Sequence, residues 1–248
     1  MKFQPFLLSL LIAAAPAGAA TISDNFNTGS DASWTRYSPL AGFGAPGTFS
    51  FPGGNTYRIA AAASPSPASL GPGRAGSFQT TTTYTDFDMN VDVVDYDSSQ
   101  SSMVVGLLAR TTTIGLGTTN GYGLTLGGGA FAIQVITGEL PGVTVATAPL
   151  TLSPVTQYRV FFHGLGTTLS AELYDLTNLS TPLATISGSN ATYTSGVNGL
   201  FVYANSTTAG ATARATYDNY FTATPVPEPA TTGLAGLGLM LLLPRRRK

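Results

Sequence analysis

An unbroken alternation of apolar and polar residues, running from Asp86 to Val93, limits what this chain can fold into more than any other feature. In Asp86-Phe87-Asp88-Met89-Asn90-Val91-Asp92-Val93, a period of two puts Phe87, Met89, Val91 and Val93 on one face. Asp86, Asp88, Asn90 and Asp92 fall on the other and are expected to face solvent or a groove. A helix would scatter the four apolar side chains around its axis. The segment is therefore read as a strand with one buried face. Similar strands are expected at Ser102 to Thr111, Tyr122 to Leu126, Phe131 to Thr137, Val143 to Ala148, Tyr158 to His163, Thr168 to Tyr174, Leu200 to Ala204 and Ala213 to Ala223.

Turn signals separate these segments. Gly127-Gly128-Gly129 and Gly138-Glu139-Leu140-Pro141-Gly142 each join two strands as hairpins. No window between 21 and 224 carries a capped 3.6-residue apolar stripe. Many short strands with turns every 8–12 residues or so favour one all-β antiparallel two-sheet sandwich over 21–224. Ala60 to Gly73, rich in Ala, Ser, Pro and Gly, reads as a long surface loop.

Both ends read as targeting segments. Met1-Lys2, the apolar stretch Phe6 to Ala15 and the small residues Ala17-Gly18-Ala19-Ala20 have the layout of a signal peptide over 1–20, cut after Ala19 or Ala20 by signal peptidase. At the other end, 225–248, Val226-Pro227-Glu228-Pro229 precedes a mostly apolar run, Ala230 to Leu243, and then Pro244-Arg245-Arg246-Arg247-Lys248. Those fourteen apolar-run residues, as a helix, rise about 21 Å, short of the roughly 30 Å bilayer core. Arg245, Arg246, Arg247 and Lys248 would hold its C-terminus on the cytoplasmic side. This three-part tail resembles the PEP-CTERM sorting signal of Gram-negative bacteria. The resemblance implies transient insertion in the inner membrane and cleavage near Pro227-Glu228-Pro229 by an exosortase-type protease. The mature protein would then reach the cell surface or the extracellular matrix. Thr224-Pro225-Val226-Pro227 is the stiff linker presenting that motif.

Between the ends, six Arg and no Lys face eleven Asp and Glu, a net charge near −5. That balance gives no footprint for phosphate backbones and excludes nucleic acid as an expected partner. The sparse charge leaves a surface of Thr, Ser, Asn and Gly, which suits an extracellular protein meeting neutral polymers. The chain has no cysteine, so disulfides and thiolate metal sites are excluded, and stability must come from the core.

Several short motifs occur in order along the body: Asp24-Asn25-Phe26, Val105-Gly106-Leu107-Leu108-Ala109-Arg110, Gly121-Tyr122-Gly123-Leu124, Gly199-Leu200-Phe201-Val202-Tyr203 and Tyr217-Asp218-Asn219-Tyr220-Phe221. In this they resemble concanavalin A-like, laminin-G-type jelly rolls. The resemblance implies two packed antiparallel sheets with adjacent first and last strands, in domains that bind carbohydrate, serve as structural modules or act as enzymes. It also implies calcium as a candidate ion. If the first and last strands pair, Asp24 and Asp218 could supply two of the hard oxygens calcium needs. Asp95 and Asp97 are a second pair that read equally as turn formers.

Catalytic constellations are thin. His163 is the single histidine and sits at a strand end, and no Gly-x-Ser-x-Gly elbow occurs. Glycoside hydrolysis needs two carboxylates about 5–10 Å apart. Glu139 falls in a hairpin turn, Glu172 on the polar face of a strand, and Asp86, Asp88 and Asp92 read as a solvated acidic face. Gly115 to Gly121 lacks phosphate-loop spacing, and the sequons at Asn178, Asn190 and Asn205 read as compositional. Trp34, Tyr37, Tyr96, Tyr122, Tyr174 and Tyr203 are the aromatic platforms on offer for a sugar ring, Tyr174 being the one expected to be exposed. The expectation is an exported, non-enzymatic surface or matrix protein associated with exopolysaccharide. The alternative is a carbohydrate-active enzyme, a glycoside hydrolase or lyase, on the same scaffold.

Overall fold

The computed structural model describes residues 20–99, 103–204, 206 and 210–225. Ala19, Val226 to Pro229 and Arg245 to Lys248, with the apolar run between the last two, lie outside the described residues.

Fifteen strands form: β1 (Thr21–Asp24), β2 (Thr35–Tyr37), β3 (Thr48–Ser50), β4 (Tyr57–Ala61), β5 (Arg74–Tyr84), β6 (Phe87–Tyr96), β7 (Met103–Thr112), β8 (Asn120–Gly127), β9 (Ala130–Thr137), β10 (Leu140–Pro149), β11 (Tyr158–Leu165), β12 (Thr168–Asp175), β13 (Ala184–Ser189), β14 (Gly196–Ala204) and β15 (Ala213–Ala223). They make two antiparallel sheets. Sheet A runs β13-β12-β11-β6-β15-β4-β3, with β1 also on β15, and sheet B runs β10-β9-β8-β7-β14-β5-β2. Asp24 pairs with Tyr220, so the first and last strands are adjacent as expected. At one side β10 lies against β13, where a Cβ on Gly188 would fall 2.6 Å from the Val145 carbonyl oxygen.

The inner faces interdigitate in one apolar core. Phe87, Met89, Val91 and Val93 of β6 are all buried there, against Leu107, Leu124, Ile133 and Leu200 of sheet B. Each such side chain contributes about 1.5–3 kcal/mol relative to exposure. The opposite face of β6 corrects one expectation. Asp86 and Asp88 are partly exposed, but Asp92 is only 1% exposed. Its carboxylate is gripped by Arg159 Nε and Nη2 at 2.6 and 2.7 Å and by Asn219 Nδ2 at 2.9 Å. Register slips between Asp218 and Phe221 of β15, a bulge in which Asn219 takes φ +50°. This bulge is what places the Asn219 amide beside Asp92.

Two other segments differ from the sequence reading. The loop expected over Ala60 to Gly73 contains the end of β4 and one helical turn, Pro67–Leu70. The hairpin expected over Gly138 to Gly142 closes sooner, because β10 already starts at Leu140. Its turn is Gly138-Glu139, with φ of +57° and +67°. That is the geometry of a two-residue hairpin turn whose second position normally goes to glycine.

Candidate functional site

Sheet B has a second apolar cluster on its outer face, formed by Phe78, Leu108 and Phe201 with Tyr37, Ile114, Ile136, Val197 and Tyr203 packed around them. Ordinarily an outward face alternates to polar residues. Here glycines on neighbouring strands make room for large side chains. A Cβ at Gly106 would fall 3.0 Å from Phe201 Cε1 and 1.8 Å from the Leu124 carbonyl oxygen. One at Gly199 would fall 2.6 Å from Phe78 Cδ1. Phe201 and Tyr203, two residues apart on β14, therefore stack on each other, their ring planes 9° apart and their centroids 5.8 Å apart. The pair makes a stacked aromatic shelf.

Above this shelf opens a pocket of about 230 Å³. Its apolar walls include Leu108, Ile136, Leu140, Pro72 and Pro141, and Tyr37, Arg74 and Glu139 close one end. The turn position of Glu139 matters here. Its carboxylate accepts from Arg74 Nε at 2.9 Å and Nη2 at 2.7 Å, from the Tyr37 hydroxyl and from the backbone N–H of Gly117. Arg74 Nη1 in turn donates to the carbonyls of Leu70 and Pro72 at 2.9 and 2.8 Å. Side-chain exposure is 12% for Arg74 and 6% for Glu139, so the pair is essentially dry. Burial alone would raise the Glu139 carboxyl, but the donors from Arg74, Tyr37 and Gly117 outweigh it and hold it below the ordinary value. Burial, then the hydrogen bond to Glu139, pushes the Tyr37 phenol well up. A carboxylate with four donors is a poor base and a poor nucleophile. It serves as a clamp, joining β2, the start of β5, the 113–119 loop and the β9–β10 hairpin around the pocket. Glu139 was read from sequence as an ordinary turn residue and Arg74 was not singled out. The one available signal was glutamate in the second place of a Gly-x hairpin turn, where its positive φ costs about 1 kcal/mol.

The outer face of sheet A is open by contrast. Across β6, β11, β12 and β13 run the rows Asp88–His163–Ser170–Ser187 and Asn90–Phe161–Glu172–Thr185. His163 Nδ1 lies 2.6 Å from Asp88 Oδ1, with both side chains more than a third exposed. Its ring is nearly parallel to Phe161. Tyr174, partly exposed on this face as expected, donates to Glu172 Oε2 at 2.5 Å.

The remaining sequence candidates are accounted for by packing. Trp34 is buried among Phe26, Tyr57 and Tyr220 and donates to Asp24 Oδ2 at 2.9 Å. Tyr96 and Tyr122 are buried, which removes them as sugar platforms, whereas Tyr37 and Tyr203 line the pocket. Asp24 Oδ1 accepts from the Phe26 N–H at 2.8 Å. Asp218 lies close enough to Asp92 and Asp24 to feel both; burial first, then these neighbours, raises its carboxyl above the ordinary value. Both oxygens of Asp24 thus already face N–H donors, and the nearby Asp92 is held by Arg159. Among the described residues, no group of three or more histidines and acids is arranged to hold a metal ion. The donor set around Asp24 and Asp218 therefore does not fit the six to eight oxygens that calcium takes. Asp95 is occupied by Arg58 and Arg214, and Asp97 folds back on Ser99 as a turn former.

No protein-family model matches the chain, and no curated protein matches it in sequence. Solved structures do match in fold. A carbohydrate-binding module (CBM66) from Bacillus subtilis aligns with TM-score 0.53 and 14% identity, over 76% of this chain and 93% of its own. Basic winged bean lectin in complex with the Tn antigen aligns with TM-score 0.51 and 12% identity, over 84% and 100%. A family 7 alginate lyase in complex with substrate aligns with TM-score 0.54 and 13% identity, over 82% and 97%. The chain shares the all-β, two-sheet jelly-roll fold of these structures.

Proposed function

We propose that this chain is an exported, non-enzymatic surface or matrix module that holds a glycan in the pocket on the outer face of sheet B. The observation that carries this reading is the stacked Phe201–Tyr203 pair in the wall of an apolar pocket, set beside a carboxylate that four donors have already satisfied. An aromatic ring packs against the C–H face of a sugar ring, burying apolar area without fixing the ring's hydroxyls. Hydrolysis would need a second carboxylate across the bond. Glu139 is the one acid among the residues lining the pocket. The fold shared with a carbohydrate-binding module and a lectin supports a binding role, and the tail's likeness to a PEP-CTERM signal supports export, processing by signal peptidase and an exosortase, and retention near exopolysaccharide.

Affinity electrophoresis of the purified protein through gels loaded with neutral polysaccharides tests the binding role. Retardation is expected, and Tyr203→Ala should abolish it while leaving the circular dichroism spectrum unchanged. Steady release of reducing ends or unsaturated products from the same polymers would instead establish an enzyme. For processing, intact mass measurement of the extracellular form is expected to show an end near Pro227 to Pro229. Peptides containing Leu237 or Leu243 in that form would exclude the cleavage.

A further inference from the structure

The pocket's chemistry narrows the glycan class, on the reading that this pocket is the glycan site. Its charged groups are already committed to each other. Glu139 is fully occupied, and Arg74 directs Nε, Nη1 and Nη2 to Glu139 and to two backbone carbonyls. Thr119 is likewise engaged, its Oγ1 donating to the Gly115 carbonyl at 3.0 Å and accepting from the Gly115 N–H. Among the described residues the Tyr203 hydroxyl has no hydrogen-bond partner, and burial raises that phenol. So the pocket offers a ligand one phenol and otherwise apolar wall: Leu108, Ile136, Leu140, Pro72 and Pro141 around the shelf.

Such a lining discriminates strongly. A ring hydroxyl pushed against Leu108 or Ile136 loses its water without gaining a partner. A carboxylate would fare worse, since among the described residues lining the pocket the one cation, Arg74, is already committed, and residues 21–224 are near −5. A methyl group in the same place gains apolar contact. The volume, about 230 Å³, is below the range of most drug-sized sites and suits a single ring.

We infer that the pocket takes one uncharged sugar unit carrying a methyl group, packed against the Phe201–Tyr203 pair with the methyl against Leu108, Ile136 and Leu140. That methyl has two chemical sources, a 6-deoxy carbon or the acetyl of an N-acetylated sugar.

Saturation-transfer NMR and calorimetry on the purified protein decide the matter, using the free sugars L-rhamnose, L-fucose, N-acetylglucosamine, glucose, galactose and glucuronic acid. At least one methyl-bearing sugar is expected to bind about tenfold or more tighter than glucose and galactose, with strongest saturation at its methyl protons. Glucuronate is expected to bind weakest. The deoxy sugars against N-acetylglucosamine identify the source of the methyl. Leu140 is well exposed on the pocket rim, so Leu140→Asn leaves the fold intact and should erase the preference while Tyr203→Ala erases binding. Equal binding of glucose and methyl-bearing sugars, still lost in Tyr203→Ala, would overturn this inference and leave the glycan site standing. Tighter binding of glucuronate would overturn it as well. No binding of any sugar, monomeric or polymeric, would overturn both.

Discussion

The two outer faces of the sandwich are built on opposite rules. On sheet A the outward rows are polar and mixed, with Asp88, His163, Ser170 and Ser187 in one and Asn90, Phe161, Glu172 and Thr185 in the next. The Asp88–His163 pair is more than a third exposed, while Asp92 with Arg159 is covered by the bulge at Asn219. On sheet B the outward positions pair glycines with large rings, as Gly106 does with Phe201 and Gly199 with Phe78, and loops close over them. The same β-sheet geometry thus yields a washed surface on one side and a dry, walled pocket on the other. What differs is residue size at alternate positions, together with one ion pair that clamps the covering loops. The lesson is that the charge on sheet B frames a pocket, whereas on sheet A the one buried acid, Asp92, ties strands together and Asp88 with His163 stays open to solvent.

The sharpest way to break that contrast is to cut the clamp. Arg74→Ala leaves Glu139 charged and dry with Tyr37 and Gly117 N–H as its partners, and should cost about 3–5 kcal/mol in denaturant unfolding. Replacing both partners, Arg74→Met with Glu139→Gly, should cost much less than either change suggests, because no orphan charge remains and glycine suits the +67° turn. The pH dependence follows. Glu139 has a folded-state value lowered from the ordinary 4.5, so its stabilisation is present above about that pH and is lost as pH falls through the lowered value. In Arg74→Ala burial is less opposed and the folded-state value moves back up, so the acid-dependent loss should shrink. If the single and double variants lose equal stability with unchanged acid profiles, the clamp is not the device described.

Next in size is the shelf's foundation. Gly106→Leu drives a side chain into the Leu124 carbonyl and the Phe201 ring and should cost at least about 1–3 kcal/mol, with loss of pocket binding. Asn90→Leu, at an outward position of sheet A, should stay within about 0.5 kcal/mol of the parent. Similar melting temperatures for the two would mean that the outer faces are not built differently.

Smaller again is the sheet A pair. Asp88→Asn removes one partner of an exposed contact with His163 and should change stability by less than about 1 kcal/mol. A larger loss would mean that this face is covered in the native protein.

This difference between the faces also set what could be read from the sequence. The β6 alternation was legible because one face of that strand is core and the other is polar. Strand β5 was not legible: its inward face carries buried Ser77 and Gln79 and its outward face carries buried Phe78, so the period-two signal inverts and vanishes. The glycine-bearing motifs around Gly106, Gly123 and Gly199 were visible as resemblance. Their purpose, making room for rings on the outer face, depends on neighbouring strands and cannot be seen along the chain. Glu139 and Arg74 are 65 residues apart and meet only because the β9–β10 turn overhangs the start of β5. Asp92 followed the alternation in direction but not in exposure, since the bulge at Asn219 that covers it is a tertiary event.

The smallest expected effect concerns calcium. Excess ion should leave the melting temperature where it is, because binding between Asp24 and Asp218 would have to displace existing donors. Asp24 accepts from the Phe26 N–H at 2.8 Å and from Trp34 Nε1 at 2.9 Å. Calcium takes six to eight oxygens at about 2.3–2.6 Å, and the third acid nearby, Asp92, is paired with Arg159. The crowding that raises the Asp218 carboxyl is the one feature that would welcome a cation. Were it sufficient, mass action would add about 2.7 kcal/mol at a hundredfold excess over Kd, several degrees in a domain of this size. Thermal melts in calcium, magnesium and chelator separate the outcomes. A calcium-specific rise, reversed by chelator and absent in Asp218→Ala, would show that Asp24 releases Trp34 to form a site. A flat response would leave Asp24 as the residue that ties the first strand to the buried aromatic cluster around Trp34, where Asp24→Ala should cost about 1 kcal/mol through the lost Phe26 N–H and indole contacts, the indole keeping the Gln79 amide oxygen at 3.0 Å.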